Sequence, residues 1–279
     1  MMKRVWARAA FLAFGFLTLT LLKTTGAWAE AAGLPGPNDP TARGLAIAKI
    51  NDERDKGWGD ARADMKMVLT NASGETSERE LHFMMLENPD PNDGNWSLMS
   101  FDRPRDIEGT ALLTYSHIKD ADDQWLYLPT IKRVKRISSS NRAGPFVGSE
   151  FAFEDFSTQQ LGKFSYTWLR DEPCGTMTCH VVERTPLYED SGYTRELVWI
   201  DTTDYQFRKI DYYDRKNALL KTLTLNNYKL YENKFWRPLE LDMVNHESGK
   251  ATKLIWSDYK FHTGLTKEDF TTASLERAR

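Results

Sequence analysis

Several familiar signatures are missing from this sequence. It has no GxSxG elbow, no phosphate-cradling GxxxxGK[ST] loop, no GxGxxG and no HExxH. The five histidines, His82, His117, His180, His246 and His262, lie far apart, each within or beside a strand-like run. That is the pattern of ordinary structural histidines. Cysteine is scarce, with only Cys174 and Cys179, and no histidine stands at ligand spacing from the pair, which argues against a zinc site. After Leu22 no stretch is apolar enough to cross a bilayer, which takes roughly 20 residues. A basic excess is also lacking: 37 Lys and Arg face 40 Asp and Glu, so nucleic acid is not an expected partner.

The first 29 residues read as a cleavable export signal. Lys3, Arg4 and Arg8 form a positive start, Ala9–Leu22 is an uncharged apolar run, and Ala27-Trp28-Ala29 is a small-x-small cleavage site. No cysteine follows the apolar run, so the chain is not a lipoprotein. Cleavage after Ala29 removes four cations and no anions and takes the formal charge from −3 to −7. The expected location is the periplasm. The remainder, 30–279, is read as one domain with a flexible start over 30–40. An oxidising compartment makes a disulfide between Cys174 and Cys179 the favoured state, closing a tight turn across Gly175.

Asp39 is a suitable N-cap for a helix opening at Pro40 and stopping at Gly57. From Arg62 the chain alternates apolar and polar residues in roughly eleven short runs. Met65, Met67 and Leu69 begin the series; Phe235–Val244, with Leu239, Leu241 and Met243 on one face, is among its last. No βαβ alternation is present, so the fold class is mainly β, an antiparallel sheet or barrel. Ser138–Leu161 interrupts the rhythm: turn residues, then Phe146–Phe153 with Gly148 inside it, then Glu154-Asp155-Phe156 and a short helical stretch over Ser157–Leu161. A long loop crossing a compact domain is usually functional. Asn88–Gly94 has the composition of a calcium loop, but its glycine is displaced and Met99 stands where a bidentate Glu is required. No metal or cofactor is expected. Glu154 and Asp155 are adjacent, and neighbours on a strand point to opposite faces, so they are read as loop anchors rather than as a catalytic pair.

One tract is distinctive. Gln124–Ile137 runs from aromatic and apolar residues into Lys132, Arg133, Lys135 and Arg136. Two readings stay open: an edge guarded by positive charge, and a docking patch for an acidic partner or lipid head group. Together with Phe146–Phe151, Glu154-Asp155, Arg43–Leu45 and Gly57–Asp60, this tract resembles the outer-membrane lipoprotein-sorting family, the periplasmic carriers of LolA and LolB type.

The resemblance implies an unclosed, strongly curved antiparallel β-barrel whose concave face is covered by a helix and a lid loop, with acyl chains held between them. It also implies an inner-membrane transporter of the RND/MMPL type as partner and transient contact with the membrane surface. The candidate cavity and lid residues are Trp96, Leu98, Trp125, Tyr127, Phe146, Val147, Phe151, Phe153, Leu239 and Leu241. A free lipid is as good a cargo as a lipoprotein. The competing readings are an accessory subunit that carries nothing and an enzyme acting on an envelope lipid. An enclosed apolar cavity separates the first from carriage, and a histidine–carboxylate cluster inside that cavity would favour the enzyme.

Overall fold

The protein is described from a computed structural model covering residues 33–277, apart from 89, 91, 92, 119 and 159. The expected signal peptide and its cleavage site lie outside the described residues. From Leu34 onward the chain forms one compact unit. Within the stretch expected to be a flexible start, Leu34 packs against the core and the Pro35 carbonyl accepts a bond from Arg43.

Helix α1, Pro40–Arg54, begins as the sequence directs: Asp39 caps it by accepting from the Ala42 amide at 3.0 Å. A first series of strands follows: β1 Asp60–Thr70, β2 Thr76–Leu86, β3 Trp96–Arg103, β4 Ala111–Tyr115, β5 Asp123–Leu128 and β6 Arg133–Arg136. The second series is β7 Phe164–Cys174, β8 Met177–Pro186, β9 Arg195–Asp201, β10 Phe207–Tyr213, β11 Leu219–Tyr231, β12 Phe235–Asn245 and β13 Ala251–Phe261. A short helix α2, Thr272–Leu275, follows. No helix among the described residues is long and apolar enough to cross a membrane.

All thirteen strands form one antiparallel sheet in the order β6-β5-β4-β3-β2-β1-β13-β12-β11-β10-β9-β8-β7. The two ends, β6 and β7, do not pair, so the barrel is unclosed. Within each series every strand pairs with its sequence neighbour, and the pairing of β1 with β13 joins the two. One apolar cluster includes Met65, Leu81, Met99, Leu112, Val182, Val198, Ile210, Leu223, Met243 and Leu254. Side chains from so many strands meet only if the sheet curls around its inner face.

The outer face carries a second cluster. Trp96, Leu98, Ala111 and Leu113 pack under Leu265, Phe270 and Leu275 of the C-terminal segment, with Trp125, Tyr127 and Val134 at its side. Tyr115 sits between Trp96 and Trp125, tilted against the first at 5.4 Å and edge-on to the second at 5.1 Å between ring centroids, and its hydroxyl donates to the Phe270 carbonyl.

The disulfide Cys174–Cys179 ties the end of β7 to the start of β8, and Gly175 adopts φ +65° in the turn between them. The expected helical stretch over Ser157–Leu161 does not form. Short 3₁₀ turns flank it instead, at Phe153–Phe156 and Leu161–Lys163. The Asp155 side chain caps the first of these turns, accepting from the Ala152 amide at 2.7 Å.

Candidate functional site

Two elements cover the inner face. Helix α1 lies directly on β7 because Gly44 has no side chain: a Cβ there would stand 2.6 Å from the Trp168 backbone nitrogen. Ile47 and Ala48 point inward, Asn51 and Arg54 bond the carbonyls of Tyr205 and Thr203, and Asp55 pairs with Arg237 of β12 at 2.5 Å. The second cover is the loop over 137–163. Phe146 is 0% exposed; its ring lies 5.7 Å from Phe101, 5.5 Å from Phe153 and 4.7 Å from Phe156.

Polar contacts nail this loop to both strand series. Arg79 of β2 donates to the Val147 carbonyl, where the backbone has φ +45°. Gln124 of β5 donates to the Phe153 carbonyl at 2.9 Å, and Thr252 of β13 accepts from the Glu150 amide at 3.0 Å. Lys221 of β11 donates to the Glu150 carbonyl at 3.1 Å and to the Asp155 carboxylate at 2.7 Å. Glu154 accepts from the Gly192 amide at 2.8 Å, Ser191 at 3.0 Å and Tyr188 at 3.2 Å. Burial, reinforced by the neighbouring Asp155 charge, pushes Glu154 up to about 7.

Between these covers and β8–β12 lies a cavity of about 740 Å³, within the range of roughly 300–1,000 Å³ usual for sites that enclose small molecules. Its walls follow the strand register. Val182, Val198, Ile210 and Leu223 are cross-strand neighbours, and Ile200, Leu225, Leu241, Phe207 and Phe151 extend the apolar surface. The exposed residues Asp55, Lys56 and Asp90 mark its opening to solvent, joined there by Asp52, Glu87 and Asp93. One step along the register from the valine and leucine row is a polar one: Arg184, Glu196, Tyr212 and Lys221 stand side by side on β8–β11. Arg184, Tyr212 and Asp155 also line the cavity. No histidine does, among the described residues, and none of those residues form a group fit to hold a metal ion.

The residues singled out from sequence divide between places. Phe151 and Leu241 line the cavity. Phe146, Val147 and Phe153 pack in the loop above the inner core, and Leu239 is half-buried on β12. Trp96, Leu98, Trp125 and Tyr127 lie on the opposite, outer face, away from the cavity. Lys132, Arg133, Lys135 and Arg136 form or adjoin the free edge strand β6; all four are exposed, and Arg136 pairs with Asp123. The inward apolar residues of β8–β11 and the buried polar row were missed as site residues. Their signal was alternation within runs recognised only as strands.

Comparison with known proteins agrees with this architecture. A family model described only as an uncharacterized protein matches residues 93–277, and no functionally curated protein matches. An outer membrane lipoprotein-sorting protein domain from Vibrio parahaemolyticus is 48% identical with a TM-score of 0.83, covering 85% of this chain and 100% of its own. A DUF1329 family protein from Desulfovibrio piger is 27% identical with a TM-score of 0.80, over 85% of this chain and 99% of its own. A LolA superfamily protein from Nitrosomonas europaea shares the fold at 20% identity, with a TM-score of 0.67 over 83% of this chain and 98% of its own. The open thirteen-stranded sheet, its covered inner face and the identity to the Vibrio domain over nearly the whole described chain place this protein in the outer membrane lipoprotein-sorting protein family.

Proposed function

We propose that the protein is a periplasmic carrier, not an enzyme, that shelters the acyl chain of a lipid or lipoprotein in the cavity between α1 and β8–β12. The observation that carries this reading is the cavity itself: about 740 Å³ walled by aliphatic side chains from five adjacent strands. Burial of hydrocarbon is worth about 0.8 kcal/mol per methylene. Ten methylenes would supply about 8 kcal/mol before the costs of ordering chain and protein. Such a gain holds a single chain without covalent attachment and still allows release.

The exposed cations of β6 and the preceding turn, Lys132, Arg133, Lys135 and Arg136, are the proposed docking patch for an acidic head-group surface or an RND/MMPL-type transporter. They stand at a free sheet edge, and none of the four lines the cavity. Export by the N-terminal signal would deliver the protein to the compartment where such a transfer occurs. The Vibrio domain's name in lipoprotein sorting supports the same assignment.

The test has two stages. Mass spectrometry of protein isolated from its native envelope should find a co-purifying acylated molecule. Delipidated protein should then rebind a fluorescent fatty acid with saturation. A folded sample shown free of lipid that does not rebind would overturn the carrier reading.

A further inference from the structure

Arg184 is 3% exposed, yet most of its hydrogen-bonding capacity is unused. Glu196 Oε2 lies 2.5 Å from both Nε and Nη2, but only the Nε hydrogen is aligned to donate to it. Nη2 is buried with no aligned acceptor; Nη1 meets no protein acceptor among the described residues but is not sealed from solvent. The aromatic rings of Phe164 and Phe207 lie over the guanidinium at 4.7 and 5.5 Å. Rings cover the faces of a guanidinium and leave its in-plane hydrogens unsatisfied. One strand further on, past Glu196, Tyr212 is 1% exposed and lines the same cavity. Its hydroxyl makes no hydrogen bond among the described residues, and burial holds it un-ionised. Both residues therefore present donors to one cavity with no protein acceptor opposite them among the described residues. A buried donor such as Nη2 is seldom left without an acceptor.

Charge decides what can fill the gap. Arg184 is matched by Glu196, and Lys221 by Asp155 at 2.7 Å. An incoming carboxylate or phosphate would add an unmatched buried charge, which is far more costly than a neutral dipole. An arriving donor, such as an ammonium, would face the hydrogens of a guanidinium. What remains is an uncharged oxygen with lone pairs and no need to donate. An ester carbonyl fits, having two lone pairs for two donors.

We infer that the Arg184–Tyr212 end of the cavity binds the ester carbonyl of an acyl ester, so that the ligand is an esterified lipid rather than a free fatty acid. The inference rests on the carrier reading and adds the class of cargo and the residues that select it. The hydrocarbon lies along the Val182, Val198, Ile210 and Leu223 row, and the carbonyl sits at the adjoining polar row.

Displacement of a fluorescent apolar probe from delipidated protein tests it, using methyl laurate, tridecane and sodium laurate at pH 8. Each affinity is divided by the compound's water-to-hexadecane partition, so that hydrocarbon burial cancels. The normalised affinity for methyl laurate should exceed that for tridecane at least tenfold, and laurate should bind more weakly than its ester. Tyr212→Phe removes a hydroxyl without breaking a protein hydrogen bond and should cut the ester preference threefold or more. Arg184→Met combined with Glu196→Leu, which removes both members of the ion pair, should abolish the preference while tridecane binding persists. Equal normalised affinities in the wild type, a preference that survives both variants, or laurate binding more tightly than its ester would overturn the inference and leave the carrier reading standing. Failure of every compound, tridecane included, to displace the probe would overturn both.

Discussion

The two halves of the inner face are built from the same kind of strand and end differently. Over β1–β4, Met65, Met67, Leu81, Met99, Phe101 and Leu112 are covered by the rings of Phe146, Phe153 and Phe156 and form a filled core. Over β8–β12, Val182, Val198, Ile200, Ile210, Leu223 and Leu225 are equally apolar and equally buried, but they form the wall of the cavity. The strands do not make that difference; the covers do. Aromatic rings fill one half. The other lies beneath a helix that presents the small Ala48 to the cavity and beside ion pairs that cannot collapse onto hydrocarbon. Hollowness here is decided by the size and charge of what lies above the sheet.

Four measurements would break or sharpen this contrast. Phe146→Ala in the filled half should cost roughly 3–5 kcal/mol in urea unfolding, the usual price of a fully buried phenylalanine. Per mole of folded protein it should leave probe binding unchanged. A loss of binding without a loss of stability would show that the ring closes the cavity instead of filling a core.

Next in size is the pH response of the loop anchor. Glu154 titrates at about 7 when folded and at about 4.5 when unfolded. The folded state thus retains a proton that the unfolded state releases. Its contribution to stability is complete below pH 4.5 and is lost as pH rises through 7, about 3 kcal/mol in all. Glu154→Gln cannot ionise, so its stability between pH 4.5 and 8 should fall less than the wild type's by about that amount. Parallel wild-type and variant curves in urea titrations across this range would remove Glu154 as the source.

Leu241→Phe enlarges a half-buried side chain on the wall of the hollow half. Stability should change by less than about 1.5 kcal/mol, because the space exists, while probe affinity should fall at least tenfold. Leu112→Phe, the matching enlargement in the filled half, should cost about 1–3 kcal/mol and spare binding. The smallest effect on stability belongs to β6. Reversing Lys132, Arg133, Lys135 and Arg136 together should move each site within about 0.5 kcal/mol. It should nevertheless weaken vesicle or transporter association measured at low salt, where exposed charges act over about 10 Å. Association unchanged by the reversal would place the docking surface elsewhere.

Much of the fold was legible because alternation reports strands directly, and because Asp39-Pro40 carries strong local chemistry at a helix start. Strand β6 was harder: in Arg133–Arg136 only Val134 is apolar, although an edge guarded by cations was one of the two readings of that tract. The site was less legible than the fold. Period-two patterning separates two faces of a strand but does not say which one is concave. On β3, Trp96 and Leu98 occupy one face, Met99 and Phe101 the other, and both are buried. Trp96 and Leu98 turn outward because Leu265, Phe270 and Leu275 return to cover them, a long-range event with no trace in the strand itself. Arg184 and Glu196 read as ordinary polar positions, since only register makes them neighbours.

The strand order has a consequence for how the chain finds this structure. Each half of the sheet is a meander that hairpins can assemble locally, whereas the seam of β1 and β13 sets Met67 opposite Leu254, 187 residues further along. Contacts of such sequence separation form slowly, because the entropy of closing the intervening chain must be overcome first. The loop over 137–163 is the link between the two meanders and is anchored to β2, β5, β11 and β13. Its full set of anchors is therefore available only once the seam has formed, and the wall that Phe151 and Asp155 add to the cavity depends in part on that long-range pairing.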